Sequence, residues 1–119
     1  METHLGSFEE VILLMAGILG EDAYAFKIAE EVEKQTRRSV SIGAVHSTLS
    51  RLEDKGFLTS QFGKPSLERG GRRKRIYTVT AIGRVALAAS RDLKQSLWDQ
   101  YPDIAINFLF SGNLYISRI

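Results

Sequence analysis

A mainly helical α+β fold is predicted for this chain: a helix-turn-helix, then a β-hairpin with a long tip, then one long C-terminal helix. Three observations carry that expectation. Ser41-Ile-Gly-Ala-Val-His-Ser-Thr-Leu-Ser-Arg-Leu-Glu-Asp-Lys-Gly56 has a capping serine at one end and a helix-ending glycine at the other, with Ile42, Val45, Leu49 and Leu52 at helical spacing. Two runs of alternating β-favouring residues, Phe57–Phe62 and Arg75–Thr80, flank a glycine-rich basic segment. Beyond Thr80, apolar residues recur helically as far as about Tyr101.

The central helix is the most informative element. With Ile42, Val45, Leu49 and Leu52 turned to the core, the opposite face carries Gly43, Ala44, Ser47, Ser50 and Arg51. Solvent faces of helices favour Lys, Glu, Gln and Arg. An arc of small and hydroxyl side chains instead implies that something bulky comes close to the backbone, and a DNA major groove is such an object.

At 119 residues and 44% hydrophobic composition, the chain is long and apolar enough for a real core. It has no cysteine, so disulfides, thiolate metal sites and cysteine nucleophiles are excluded. No apolar run approaches the roughly 18 residues of a membrane span, and the start Met1-Glu2-Thr3-His4 has no positive leader region. A cytoplasmic protein without membrane partners is expected. The net charge of +2 hides a segregated distribution. Acids dominate residues 1–35, whereas bases dominate residues 36–84, which contain the central helix. A separated positive field of this kind is what a polyanion-binding surface requires.

In chain order, Ser7-Phe-Glu-Glu10 fits a capping box and starts the first helix. Phe8, Val11, Ile12, Met15, Ile18 and Leu19 form its expected core stripe, and Gly20 its end. A second helix is expected from about Ala25 to Gln35, with Ile28, Ala29 and Val32 inward. The short polar Thr36–Ser41 segment then leads into the central helix, so the pair reads as a helix-turn-helix whose second member is the groove reader. Periodicity alone also fits any small three-helix core. The hairpin adds the second argument: Lys64, Arg69, Arg72, Arg73, Lys74 and Arg75 surround its glycine-rich turn, where side chains can follow a phosphate track. A basic hairpin directly after a helix-turn-helix is a wing.

Six motifs in order then resemble one family: Leu5-Gly-Ser-Phe-Glu-Glu10, Ala23-Tyr-Ala-Phe26, Ser39-Val-Ser-Ile-Gly-Ala-Val-His46, Leu49-Ser-Arg-Leu-Glu-Asp-Lys-Gly56, Glu68-Arg-Gly-Gly-Arg-Arg-Lys-Arg75 and Tyr77-Thr-Val-Thr-Ala-Ile-Gly83. From about Leu5 to Leu87 the chain is similar to the PadR family of bacterial winged-helix transcriptional regulators. The resemblance implies a homodimeric, repressor-like protein on a palindromic operator of double-stranded DNA. His46 and Ile76 depart from it, since many relatives carry aromatic residues at those positions.

Thr80 caps the last helix, whose Ile82, Val85, Ala86, Ala89, Leu93 and Leu97 form one stripe, with Trp98 and Tyr101 beside it. So long a helix has little to pack against within one subunit and is expected to be a dimerisation arm. Val85, Ala89, Leu93, Leu97, Trp98 and Tyr101 are its candidate interface residues. The resemblance also implies a possible planar aromatic effector, which would place Trp98 in its site; plain interface packing is the alternative role. Pro102 ends the helix, and the tail Asp103–Phe110 is too apolar to stand in water. The expected division is residues 1–80 as DNA-binding domain and 81–119 as dimerisation helix and apolar tail.

No catalytic constellation appears: His4 and His46 are distant, no acid partners them, and neither metal-ligand spacing nor a phosphate-binding glycine fingerprint is present. Neither enzyme activity nor a cofactor is expected. The expected function is sequence-specific DNA binding as a transcriptional regulator. Ser41, Gly43, Ala44, His46, Ser47, Ser50 and Arg51 would lie at the groove, with Lys64, Arg69, Arg72, Arg73, Lys74 and Arg75 on phosphates or the minor groove. A winged-helix protein-interaction module and a small-molecule-sensing regulator are the alternatives.

Overall fold

The structure is a computed structural model that describes residues 4–65 and 73–102. In order these form α1 (Ser7–Leu19), one turn of 3₁₀ helix (Gly20–Asp22), α2 (Ala25–Thr36), α3 (Ile42–Asp54), β1 (Leu58–Pro65), β2 (Arg73–Val79) and α4 (Ala81–Gln100). This is the winged helix-turn-helix order expected from the sequence. The wing tip with Arg69 and Arg72, and the apolar tail from Asp103 onward, lie outside the described residues.

The caps show why the helices start where they do. Ser41 Oγ accepts the Ala44 N–H at 3.0 Å and opens α3, and Thr80 Oγ1 accepts the Gly83 N–H at 3.0 Å and opens α4. Helix α1 differs from expectation. Its N-cap is Gly6 rather than Ser7, and it is Glu9, not Glu10, that reaches back to accept the Gly6 N–H at 2.8 Å. Glu10 is drawn instead to Lys94 of α4. Gly56, with φ of 82°, takes the left-handed conformation after α3, where a side chain would be strained.

Ile12 and Leu13 of α1, Ile28 and Val32 of α2, Val45, Leu49 and Leu52 of α3, and Phe57 and Leu58 form one buried core. Burial of such side chains stabilises the fold by about 1.5–3 kcal/mol each before the entropy of ordering is subtracted. Three residues depart from the expected stripes. Ile18 is 66% exposed, because α1 is rotated to bring Glu9, Leu13 and Ala16 inward and Ile18 lies about half a turn from Glu9. Ile42, in the first turn of α3, is 44% exposed and overhangs the edge of the core. Ala86 is fully buried and so faces the domain instead of the outer stripe of α4.

The two strands pair antiparallel, with Leu58 opposite Val79, Ser60 opposite Tyr77 and Phe62 opposite Arg75, before the register shifts between Phe62 and Pro65. The Tyr77 N–H donates to the Ala23 carbonyl at 2.8 Å and ties the hairpin base to the entrance of α2. A second junction holds α4. Thr80 Oγ1 donates to the Gly56 carbonyl at 2.7 Å, and the Thr80 N–H donates to the Phe57 carbonyl at 3.0 Å. A Cβ on Gly83 would stand 2.3 Å from that same Phe57 oxygen, so α4 approaches this backbone as closely as glycine allows. Beyond this contact α4 leaves the domain, and every residue from Arg91 to Gln100 is exposed.

Gly83→Ala is expected to lower the unfolding free energy by about 2 kcal/mol through overpacking. Gly17→Ala, whose new methyl group would meet only Val79 at an ordinary 3.6 Å, should instead raise it by about 0.5–1 kcal/mol, because alanine is the better helix former. Urea unfolding of the two variants side by side checks the difference.

Candidate nucleic-acid interface

Helix α3 is buried along Val45, Thr48, Leu49 and Leu52, and that choice of inner face decides what points outward. Ser41, Gly43, Ala44, His46, Ser47 and Ser50 are all exposed, as the groove-facing arc requires. Two of the hydroxyls have local work: Ser41 caps the helix, and Ser47 Oγ donates to the Ala44 carbonyl at 3.3 Å. Each keeps hydrogen-bonding capacity for an outside partner. A Cβ built on Gly43 meets no heavy atom within 4 Å, and its φ is not left-handed. Nothing inside the domain therefore asks for glycine there, although an exposed helical glycine costs about 0.5–1 kcal/mol relative to alanine.

The hairpin brings its cations to the same side. Arg73, Lys74 and Arg75 share one cleft with His46 and Ile42 of α3 and with Tyr24, Ala25 and Phe26 at the start of α2. Lys74 Nζ sits 4.2 Å from the centroid of the Tyr24 ring. Arg75 lies 4.7 Å from the centroid of Phe62, and its Nη1 donates to Ser60 Oγ at 2.9 Å. Aromatic faces and a hydroxyl thus orient these two cations without neutralising them. Lys64 and Arg73 extend further along the hairpin and are exposed. Sequence reasoning overlooked the part of Tyr24, Phe26 and Ile42 in this cleft. The closely spaced aromatics opening α2 were the available signal.

Arg51 is placed differently from its groove neighbours. Its Nε lies 3.4 Å from Glu9 Oε2 and its Nη2 donates to Thr48 Oγ1 at 3.2 Å, so it braces α3 against α1. Lys55 Nζ joins the same carboxylate at 2.9 Å and also donates to the His4 carbonyl at 3.2 Å. At the other end of α3, Glu33 Oε2 accepts the Val40 N–H at 2.8 Å and closes the turn that feeds the helix. Glu9 is one of the few buried charged residues. Burial pushes its carboxyl up, but the Gly6 N–H, Lys55 and Arg51 outweigh burial and hold it below the usual carboxylate value. Glu10 behaves likewise: burial opposes ionisation, and Lys94 and Ser90 more than compensate.

The far part of α4 presents Val85, Ala89, Leu93, Leu97, Trp98 and Tyr101 to solvent, and Leu14 and Ile18 of α1 are exposed too. The rings of Trp98 and Tyr101 meet edge to face, their centroids 5.7 Å apart. Trp98 also borders a groove with Leu14, Leu87 and the Glu10–Lys94 pair. Among the described residues no group of His, Asp or Glu side chains is arranged to hold a metal ion, and no helix is long and apolar enough to cross a membrane.

The sequence of residues 13–89 matches the family model described as "Transcriptional regulator PadR-like family". Solved structures share the fold. A PadR-like transcription factor from Bacteroides fragilis aligns with a TM-score of 0.66 at 24% identity, over 78% of this chain and 84% of that one. A PadR family transcriptional regulator from Eggerthella lenta aligns with a TM-score of 0.60 at 18% identity, over 87% of this chain and 82% of the other. A transcriptional regulator from Clostridium thermocellum gives a TM-score of 0.58 at 19% identity, over 80% and 92% respectively. No curated protein matches the chain in sequence.

The lowered Glu9 value has a pH consequence. A carboxyl held below its ordinary value of 4.5 in the folded state adds stability above that value, which is lost as pH falls through the folded one. Glu9→Gln should therefore cost about 1–2 kcal/mol at neutral pH and lessen the further loss of stability between about pH 5 and about pH 3. Urea unfolding of wild type and variant across that range checks it.

Proposed function

The chain belongs to the PadR-like family of transcriptional regulators, and from that premise we propose that it is a homodimeric repressor that seats two α3 helices in the major groove of a palindromic operator. The observation that carries this reading is Gly43 with its neighbours. A glycine that the domain does not need, beside Ala44, Ser47 and Ser50, leaves room for base edges to approach the α3 backbone. Ser41 and His46 extend the same surface. Lys64, Arg73, Lys74 and Arg75 of the wing are assigned to phosphates or the adjacent minor groove, a reading supported by the cleft that Arg73, Lys74 and Arg75 share with α3, and Arg69 and Arg72 are assigned the same task from their place in the sequence. Arg51 is assigned chiefly to hold α3 at the correct angle. The protein works in the cytoplasm, on duplex DNA, without a catalytic step or a cofactor.

The dimer reading is supported by α4. A helix of 20 residues is about 30 Å long, and its outer half finds no cover within the chain's described residues. Val85, Ala89, Leu93, Leu97, Trp98 and Tyr101 form the proposed interface, extended by Leu14 and Ile18 of α1. Two linked recognition helices gain affinity through effective concentration, and the arm sets the half-site spacing. The groove beside Trp98 favours one further reading, that a planar aromatic effector binds near the dimer centre and shifts the arm.

Two experiments test the proposal. In fluorescence anisotropy with a duplex from upstream of the gene, log K should fall with log salt at a slope implying on the order of four to eight phosphates. Lys64→Ala and Arg73→Ala should each reduce that slope by about 1. Gly43→Ala should bind more weakly while unfolding no more easily than wild type. An affinity indifferent to salt and to all three changes would remove DNA from the proposal. In sedimentation velocity, the wild-type protein should run as a dimer and Leu93→Asp as a folded monomer with sharply reduced DNA affinity.

A further inference from the structure

Between the start of α2, the start of α3 and the base of the wing lies an open cleft of about 480 Å³. It combines two chemistries that ordinarily stay apart. Ile42 is 44% exposed and Phe26 is 56% exposed, so an apolar strip faces outward at the tip of the recognition helix. His46, Arg73 and Lys74 border the same cleft. Isoleucine is a mediocre helix former and gains nothing from water at that position. Ile42 stands about 40° round α3 from His46, beside the arc of small residues and on the side of the helix that shares this cleft with the wing cations.

The apolar group that base-pair edges display in the major groove is the thymine 5-methyl, and the N-terminal residues of a recognition helix are the ones that reach base edges. A polyanion with apolar groups set between its charged rails complements an apolar strip set between cations. We propose that Ile42, with Phe26 completing the apolar surface, reads a thymine 5-methyl group in each half-site and so determines operator specificity. This rests on the DNA-binding reading. It adds that the arc of small residues admits the duplex while Ile42 selects within it. Ser47 and Ser50 offer hydroxyls that pair with any base edge, so the discriminating contact falls to Ile42.

The test separates this inference from the reading beneath it. The full chain selects duplexes from a random pool at moderate salt, and each thymine of the winning sequence is then replaced by deoxyuridine, which lacks only the methyl group. One position per half-site should be sensitive, with affinity falling about fourfold for one substitution and about tenfold or more for both. Ile42→Ala should bind the thymine and deoxyuridine duplexes alike at that position, with the wild-type salt slope, and Ile42→Val should retain part of the discrimination. Because Ile42 lies outside the fully buried core, thermal unfolding of these variants should match wild type. A selected consensus without a recurrent thymine, equal binding of every deoxyuridine duplex, or discrimination that survives in Ile42→Ala would overturn the inference and leave DNA binding intact. Failure to enrich any duplex at any salt concentration would overturn both.

Discussion

The contact of Gly83 with the Phe57 carbonyl is the constraint on which the arrangement depends. Phe57 stands three residues beyond the end of α3 and is fully buried, so its backbone position is tied to where that helix stops. Thr80 is bonded to the Gly56 and Phe57 carbonyls, and α4 begins one residue later. The end of α3, the start of the wing and the start of α4 therefore meet at one junction. A side chain at position 83 would push these elements apart.

Adjacent carboxylates on α1 reinforce this geometry from the opposite side. Glu9 holds Arg51 and Lys55 of α3, while Glu10 holds Lys94 of α4. One turn of one helix thus grips both the element proposed to face DNA and the element proposed to join two subunits. Both carboxylates are covered, and among their partners Lys55 is the best shielded, whereas Arg51 and Lys94 are more exposed and more open to screening. A displacement of the arm would reach α1 through Glu10 and would reach α3 through its neighbour.

The proposed groove-facing surface is notable for how little it holds on its own account. The residues that discriminate core from surface in α3 are Val45, Leu49 and Leu52, and their burial leaves the rest of the helix turned out. Lys74 and Arg75 of the wing are oriented by Tyr24, Phe62 and Ser60, and Glu53 is linked to Arg75 through the Ser60 hydroxyl, which donates to it at 2.6 Å. Other acidic side chains are engaged elsewhere, with Glu9 and Glu33 supporting the two ends of α3 from behind.

The sequence by itself determined the element order, the caps at Ser41 and Thr80, the ends at Gly20 and Gly56, and the presence of the hairpin, because each is a local property of spacing and turn chemistry; the strands run further toward the tip than their alternation indicates, to Pro65 and from Arg73. It also marked α3 as the unusual helix, since an outward arc of Gly43, Ala44, Ser47 and Ser50 is visible from periodicity alone. Tertiary structure decided the rest. The capping residue of α1 is Gly6 because Glu9 is needed by Lys55 and Arg51 at the other end of the chain's contacts, and a window of ten residues holds no trace of those partners. Ile42 and Ile18 have core chemistry and helical spacing, yet they are exposed, because whether a periodic residue is buried depends on how far the neighbouring helix extends over it. Tyr24 and Phe26 meet Lys74 and His46 across about fifty and twenty residues of sequence. Only the packing of α2, α3 and the hairpin around one core brings them to a single cleft.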